Sequence, residues 1–271
     1  MHLKQVISVS IFFFSIVLWQ SCATSYKYSY EEENTPEFKG DFRLHDTEDN
    51  VALYPTIKVV SFNIEFAQNI DEAIDLLQQE PLSSADVLLL QEMDESGTER
   101  LARSLNMSYA YYPAIFHPRY GKNVGNAILT KWKIEDSQKI KLPHPSTYPA
   151  PLEGKNYIFR KTATIANIDI RGELIAFAST HAAAFNTTKK RKEFAEAIVN
   201  RFTDSDVRCA VVGGDFNSLG GADVEATVHS FTSSDFRWAS QDIGMTISKK
   251  KPILSVVPKK AFTLGLNPIN A

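Results

Sequence analysis

A chain of 271 residues with 44% hydrophobic and 23% charged residues has ordinary globular composition, and it is long enough to bury one large core beside an N-terminal extension. Its formal net charge of −3 excludes a global electrostatic attraction to nucleic acid or to an anionic membrane. Only a local basic face is left for such partners.

The first element is a leader. His2 and Lys4 precede an apolar run from Val6 to Trp19, which is shorter than the ~20 residues a spanning helix needs and has the layout of a secretory signal. Leu18-Trp19-Gln20-Ser21-Cys22 resembles a loose bacterial lipobox, with Trp19 and Gln20 departing from the strict form. Residues 1–22 are therefore expected to be a signal ending at a lipidated Cys22, giving an exported, membrane-anchored lipoprotein of the outer membrane or cell surface of a bacterium. A plain signal peptide or an uncleaved anchor fits the same residues. The other cysteine, Cys209, lies in the apolar stretch Val207–Val212 and reads as a small core residue. Residues 23–54 are polar, carry Glu31–Glu33 and lack sustained periodicity, so they read as a flexible tether.

Residues 55–271 form the expected globular domain. Ile57–Ile64 is a β-branched strand, and Asn69 is placed to cap a helix with Ile70, Ala73, Ile74 and Leu77 on one face. Pro81 ends that helix, and Val87-Leu88-Leu89-Leu90 is continuous enough for a strand covered on both sides. A helix near Thr98–Leu105 precedes strands near Ser108–Ala114 and Asn126–Lys131. Ile158–Ile170 and Glu173–Thr180 are long strands joined at Arg171-Gly172 by a hairpin turn. Thr187–Phe202 is a helix, and Val207–Val212 is a buried strand running into Gly213-Gly214-Asp215-Phe216-Asn217. Long strands alternating with helices predict an α/β sandwich in which helices cover packed sheets.

Polar residues leave these strands at their carboxyl ends: Asn63 with Glu65, Glu92, His181, and Asp215 with Asn217. Loops beyond strand ends are where α/β sheets place their sites. Carboxylates and amides with few cysteines suit Mg²⁺ or Mn²⁺, hard ions that prefer oxygen ligands and keep waters for substrate.

Ser61-Phe62-Asn63-Ile64-Glu65, Gln91-Glu92, Gly125-Asn126-Ala127-Ile128-Leu129, Thr180-His181 and Gly214-Asp215-Phe216-Asn217 resemble, in order, the signatures of the endonuclease/exonuclease/phosphatase superfamily of DNase I-like proteins. The resemblance covers about residues 56–219. It implies a four-layer α/β sandwich, two packed mixed β-sheets flanked by helices. It also implies a phosphodiester substrate, whether nucleic acid or a lipid headgroup. Glu92 would be the principal ligand of Mg²⁺ or Mn²⁺, completed by Asn63 and Glu65. His181 would donate to a phosphoryl oxygen, and Asp215 and Asn217 would orient or deprotonate the attacking water. Asn126 would support the site and Arg160 would reach phosphate.

One departure stands out. The family ends on an Asp-containing segment and a Ser-Asp-His motif. Here Phe262-Thr263-Leu264 resembles the stretch after the first of these, Lys259 and Lys260 stand where Asp-His is expected, and no histidine follows His229. The domain is thus expected to lack the usual C-terminal strand and to leave an open sheet edge. Three readings follow: an exported metal-dependent phosphodiesterase, a truncated or degenerate homologue that binds phosphate ligands, and a structural or adhesive surface lipoprotein. The run Lys189-Lys190-Arg191-Lys192 and the run Lys249–Lys251 read as solvated faces, and Tyr109, Tyr111, Tyr112 and Phe116 as strand packing.

Overall fold

A computed structural model describes residues 26–27, 29–30, 32–44, 57–149, 156–203, 207, 209–218, 221–239, 253–256 and 260–265. The signal, Cys22 and Lys259 lie outside them. The strands in chain order are β1 (Tyr26–Lys27), β2 (Phe38–Asp41), β3 (Lys58–Asn63), β4 (Val87–Met93), β5 (Ser108–His117), β6 (Lys122–Thr130), β7 (Ile134–Pro149), β8 (Asn156–Ile170), β9 (Glu173–His181), β10 (Cys209–Asp215), β11 (Arg237–Trp238), β12 (Ile253–Val256) and β13 (Lys260–Gly265). The helices are α1 (Ile70–Leu77), α2 (Glu95–Leu105), α3 (Thr188–Thr203) and α4 (Gly221–Thr232).

Two mixed sheets result. One runs β12-β3-β4-β6-β5-β2; the other runs β1-β8-β9-β10-β13-β11, with β7 also paired to β8. Their inner faces meet through Val59, Val87, Leu89 and Ile128 on one side and Ala166, Ile168, Phe177 and Val211 on the other. On the outer face of the first sheet, α1 and α2 bury Ile70, Leu77, Leu101 and Ala102 against Leu88, Leu90 and Leu129. On the second, α3 buries Phe194, Ile198 and Phe202 against Ala163, Ile165, Ala178 and Val212. These are the four expected layers. Burying a side chain of this size stabilises the fold by ~1.5–3 kcal/mol.

Polar bonds also cross between the sheets and fix their relative position close to the strand ends. Gln91 Nε2 donates to Ser179 Oγ at 2.9 Å, and Ser179 Oγ donates to Leu90 O at 2.8 Å. Asn126 Nδ2 donates to Thr162 O at 2.9 Å, and Thr164 Oγ1 donates to Asn126 O at 2.8 Å.

Several expectations are corrected. Part of the expected tether is docked: β1 pairs parallel with β8 and β2 pairs antiparallel with β5, because paired backbone there satisfies sheet edges that would otherwise stay open. The edge of β3 is likewise covered, by β12 in antiparallel register. Asn69 occupies the N-cap position of α1 but its side chain makes no capping bond. The working cap is Asp94, whose carboxylate accepts from Gly97 N at 2.7 Å and starts α2 three residues earlier than the apolar pattern indicates. Arg191 is buried, at 3% exposure, although its lysine neighbours are exposed. Its guanidinium donates to Phe216 O, Ala184 O and Asp223, a set of acceptors that sequence spacing does not reveal.

Candidate active site

The polar residues at the strand ends converge. Asn63 closes β3, and its Nδ2 donates to Glu92 Oε1 at 3.1 Å and to Asp215 Oδ2 at 3.2 Å, so one amide joins both sheets. Glu92 has a left-handed backbone (φ 56°), within the irregular register between Leu90 and Met93. Such strain in a bulged strand is held by its surroundings and re-aims the side chain. The other oxygen of Glu92 accepts from Phe66 N at 3.2 Å. Phe66 lies in the run Glu65–Ala67, all three residues having φ near +50°.

His181 ends β9 and Asp215 ends β10, adjacent strands that pair these two residues directly. Two glycines permit the close approach of neighbouring backbones. A Cβ on Gly214 would lie 2.0 Å from Thr180 O, and one on Gly125 would lie 2.0 Å from Tyr112 O. Asn217 (φ 49°) turns the chain back: its N–H donates to Asp215 Oδ1 at 2.9 Å, while its Nδ2 donates to His181 Nε2 at 3.1 Å and Ala182 O at 2.8 Å. Arg191 holds this loop from beneath through Phe216 O.

Electrostatics follow from burial. Desolvation raises Glu92, against hydrogen bonds from Asn63 and Phe66 N and the charge of Lys161. Desolvation also raises Asp215 from 3.8 to about 7, opposed by the bonds from Asn217 N and Asn63 and assisted by the nearby Glu92 charge. Burial pushes His181 well below its usual range, and the Lys161 charge adds to this. A neutral imidazole that accepts from Asn217 at Nε2 carries its proton on Nδ1. The gaps of 3.7 Å to Glu92 and 3.8 Å to Asp215 are then near contacts and not ion pairs.

Sequence reasoning missed Lys161. Burial depresses its ammonium, while Glu92 and Asp215 pull it up. It follows Arg160 in one motif, and composition does not choose between two adjacent cations. Both line a cavity of about 40 Å³ with Glu92, Asn126, His181 and Thr162 and the apolar Ala114, Ile115, Val124 and Phe159. Thr162 Oγ1 is buried there with no hydrogen-bond partner among the described residues. That volume admits a water or a substrate oxygen. Glu65 is placed differently: its N–H donates to Asn63 Oδ1 at 3.0 Å, while the residue lines a separate cavity of about 340 Å³ with Asn63, Asn69 and Glu72.

The donors suit a hard divalent cation. Two desolvated carboxylates with raised pKa values are bridged by one amide, and the single charge of Lys161 offsets only part of theirs. Among the described residues no group of three or more His, Cys, Asp or Glu side chains forms a ready-made cage. Mg²⁺ commonly binds through one or two carboxylates and keeps several waters.

The model of the Endonuclease/Exonuclease/phosphatase family matches residues 60–245. Among solved structures, the chain is similar to the endonuclease/exonuclease/phosphatase from Bacteroides vulgatus at 16% identity and a TM-score of 0.52, over 77% of this chain and 90% of the other. A family protein from Bacteroides thetaiotaomicron aligns at 16% identity and a TM-score of 0.50, over 76% and 86% of the two chains. The human nocturnin catalytic domain with bound sulfate anion aligns at 18% identity and a TM-score of 0.51, over 73% of each chain. At these identities the likeness is one of fold. Comparison with curated protein sequences gives no match.

Proposed function

Because this chain belongs to the endonuclease/exonuclease/phosphatase family, we propose that it is an exported, metal-dependent phosphodiester hydrolase. The observation that carries this reading is the convergence of Asn63, Glu92, His181 and Asp215 from four strands onto one desolvated cluster. Bound at Glu92 with Asn63, Mg²⁺ or Mn²⁺ would supply Lewis-acid polarisation of a phosphoryl oxygen.

The chain's own residues account for the remaining chemistry. Asp215, held beside Glu92 by the Asn63 amide, is placed to take a proton from an attacking water. Asn217 fixes that carboxylate through its N–H and fixes the imidazole through its side chain. His181 offers a hydrogen bond to a phosphoryl oxygen as charge builds there. Lys161 contributes a buried positive charge near both carboxylates. Ala114, Ile115 and Phe159 give the cavity lined by Lys161 an apolar side, which lowers the local dielectric beside these groups.

Cys22 fits a lipid anchor, which would hold the enzyme at a bacterial membrane surface. Labelling with a radioactive fatty acid that persists in Cys22→Ser, or that is absent from the wild type, refutes the anchor.

A second reading, a phosphate-binding homologue without turnover, is favoured by the resemblance that sets Lys259 and Lys260 at the places where the family carries Asp-His. The discriminating experiment is a panel of a chromogenic phosphodiester, DNA, RNA and phospholipid vesicles, each with Mg²⁺ or Mn²⁺. Cleavage of any of them supports the hydrolase. Folded protein that cleaves none while binding inorganic phosphate supports the second reading.

A further inference from the structure

The geometry points to the N-terminal segment around Ser29 as a built-in part of the candidate site, a positioning element that holds the Phe159–Thr162 wall of the cavity. The need for it is visible in the sheet. On one edge of β8, pairing with β9 begins only at Ala163, opposite Thr180. Upstream of that point β1 takes over the edge, with Tyr26 opposite Tyr157 and Lys27 opposite Ile158. On the other edge the register with β7 slips between Leu142 and Ser146, and no β7 residue is paired with Arg160. The part of β8 that forms the cavity wall is thus bordered by an irregular β7 register on one edge and by the N-terminal segment on the other.

Ser29 joins the segment to this stretch of β8. Its hydroxyl accepts from Arg160 N at 2.8 Å and donates to Ile158 O at 3.0 Å, so one side chain satisfies both backbone groups flanking Phe159. The same segment grips the opposite sheet. Ser29 forms an antiparallel bridge with Ile115, Tyr30 N donates to Ala114 O at 3.0 Å, and Tyr30 Oη donates to Asn123 Oδ1 at 2.6 Å. Ala114, Ile115, Phe159 and Arg160 all line the cavity that holds Glu92, Lys161 and His181. The segment thus ties the two sheets together at the cavity itself.

Further along, the tie is secured by a buried lysine. Lys139 Nζ donates to Thr35 O at 2.6 Å and to Pro113 O at 3.3 Å, and Lys139 N donates to Asn34 Oδ1 at 3.1 Å. Lys139 is 1% exposed, so the contact is a packed one. Pro113 adjoins the cavity-lining residue Ala114, so this anchor also bears on the cavity. A wall that shifts by a fraction of an ångström moves Lys161 and Thr162 relative to Glu92, and catalytic or binding groups are sensitive to displacements on that scale.

The structural half of this inference stands alone; the functional half rests on the phosphodiesterase reading. Both are tested on the full chain with Ser29→Ala and the conservative Ser29→Thr. Amide hydrogen exchange across 156–163 should speed up about fivefold at Arg160 in Ser29→Ala, the scale of one lost hydrogen bond, and return toward wild type in Ser29→Thr. Unchanged exchange overturns the positioning role. With a chromogenic phosphodiester, Ser29→Ala should raise KM about fivefold with kcat within about twofold, and Ser29→Thr should restore it. An unchanged KM, or an equal loss in both variants, also overturns it. If the wild type turns over no substrate, the hydrolase reading fails separately, and calorimetry with inorganic phosphate takes its place. A several-fold weaker Kd in Ser29→Ala then supports the inference, while an equal Kd, or no phosphate binding by the wild type, overturns it.

Discussion

Replacing Asp215 with asparagine should make the metal-free protein more stable at alkaline pH and less stable at acid pH. Burial raises the folded-state pKa of Asp215 from 3.8 to about 7, so the folded chain holds that proton more tightly than the unfolded chain. Such a group costs nothing below about pH 4. Its penalty grows as the pH rises toward 7 and is complete above that. At about 1.36 kcal/mol per pH unit the upper bound is ~4 kcal/mol, with little relief from solvent because the residue is 3% exposed. Asparagine removes the charge and can still accept from Asn217 N. Its new amide nitrogen, however, meets the Asn63 donor, which costs about 1 kcal/mol. The net expectation at pH 8.5 is a gain of about 1–3 kcal/mol, or several degrees in Tm. At pH 4 the variant should be about 1 kcal/mol less stable than the wild type. Thermal unfolding followed by circular dichroism at both pH values, with a chelator present, is the assay. The same offset at pH 4 and 8.5, or a loss at 8.5, refutes the reasoning.

Three further outcomes follow from packing. Gly125→Ala should destabilise by about 1–3 kcal/mol or more, because its Cβ would sit 2.0 Å from Tyr112 O in a rigid ladder; chemical denaturation without a lowered midpoint contradicts this. Asp94→Ala removes the cap of α2 and the ion pair to Lys122, and denaturation should report a loss of about 1–2 kcal/mol. Arg191→Met keeps the aliphatic volume but strips donors from Phe216 O, Ala184 O and Asp223. It should cost a few kcal/mol and loosen the Asp215–Asn217 turn, read as faster amide exchange there.

The site was legible in the sequence where chemistry coincides with strand ends. Asn63, Glu92, His181, Asp215 and Asn217 each follow an apolar run, and parallel pairing of β9 with β10 and of β3 with β4 brings their ends together. The core strands and helices were legible for the same reason, since burial imposes their periodicity. What was not legible depends on partners far away in the chain. β7 contains Pro143, Pro145 and Pro149 and lacks an apolar pattern; as a strand that pairs only with β8 among the described residues, it tolerates prolines that a central strand would not. The described residues between 29 and 43 read as polar linker because their docking uses backbone bonds, single polar side chains such as Ser29 and Glu37, and only two aromatic anchors, Phe38 and Phe42, too few to show a period. Lys161 and Arg191 resemble ordinary surface cations until the groups around them are known. Glu65 is a carboxylate at a strand end like Glu92, but its left-handed backbone and that of Phe66 turn the chain, so it borders the separate cavity with Asn69 and Glu72.

The central claim is that Glu92 organises a metal-dependent phosphodiesterase centre. Its most direct test is the initial rate of chromogenic phosphodiester hydrolysis by wild type and Glu92→Ala, each with Mg²⁺, Mn²⁺ or chelator. The account predicts cation-dependent turnover by the wild type and a loss of at least about 100-fold in a folded Glu92→Ala protein. Equal rates in the two proteins, or a wild-type rate indifferent to the chelator, would contradict it.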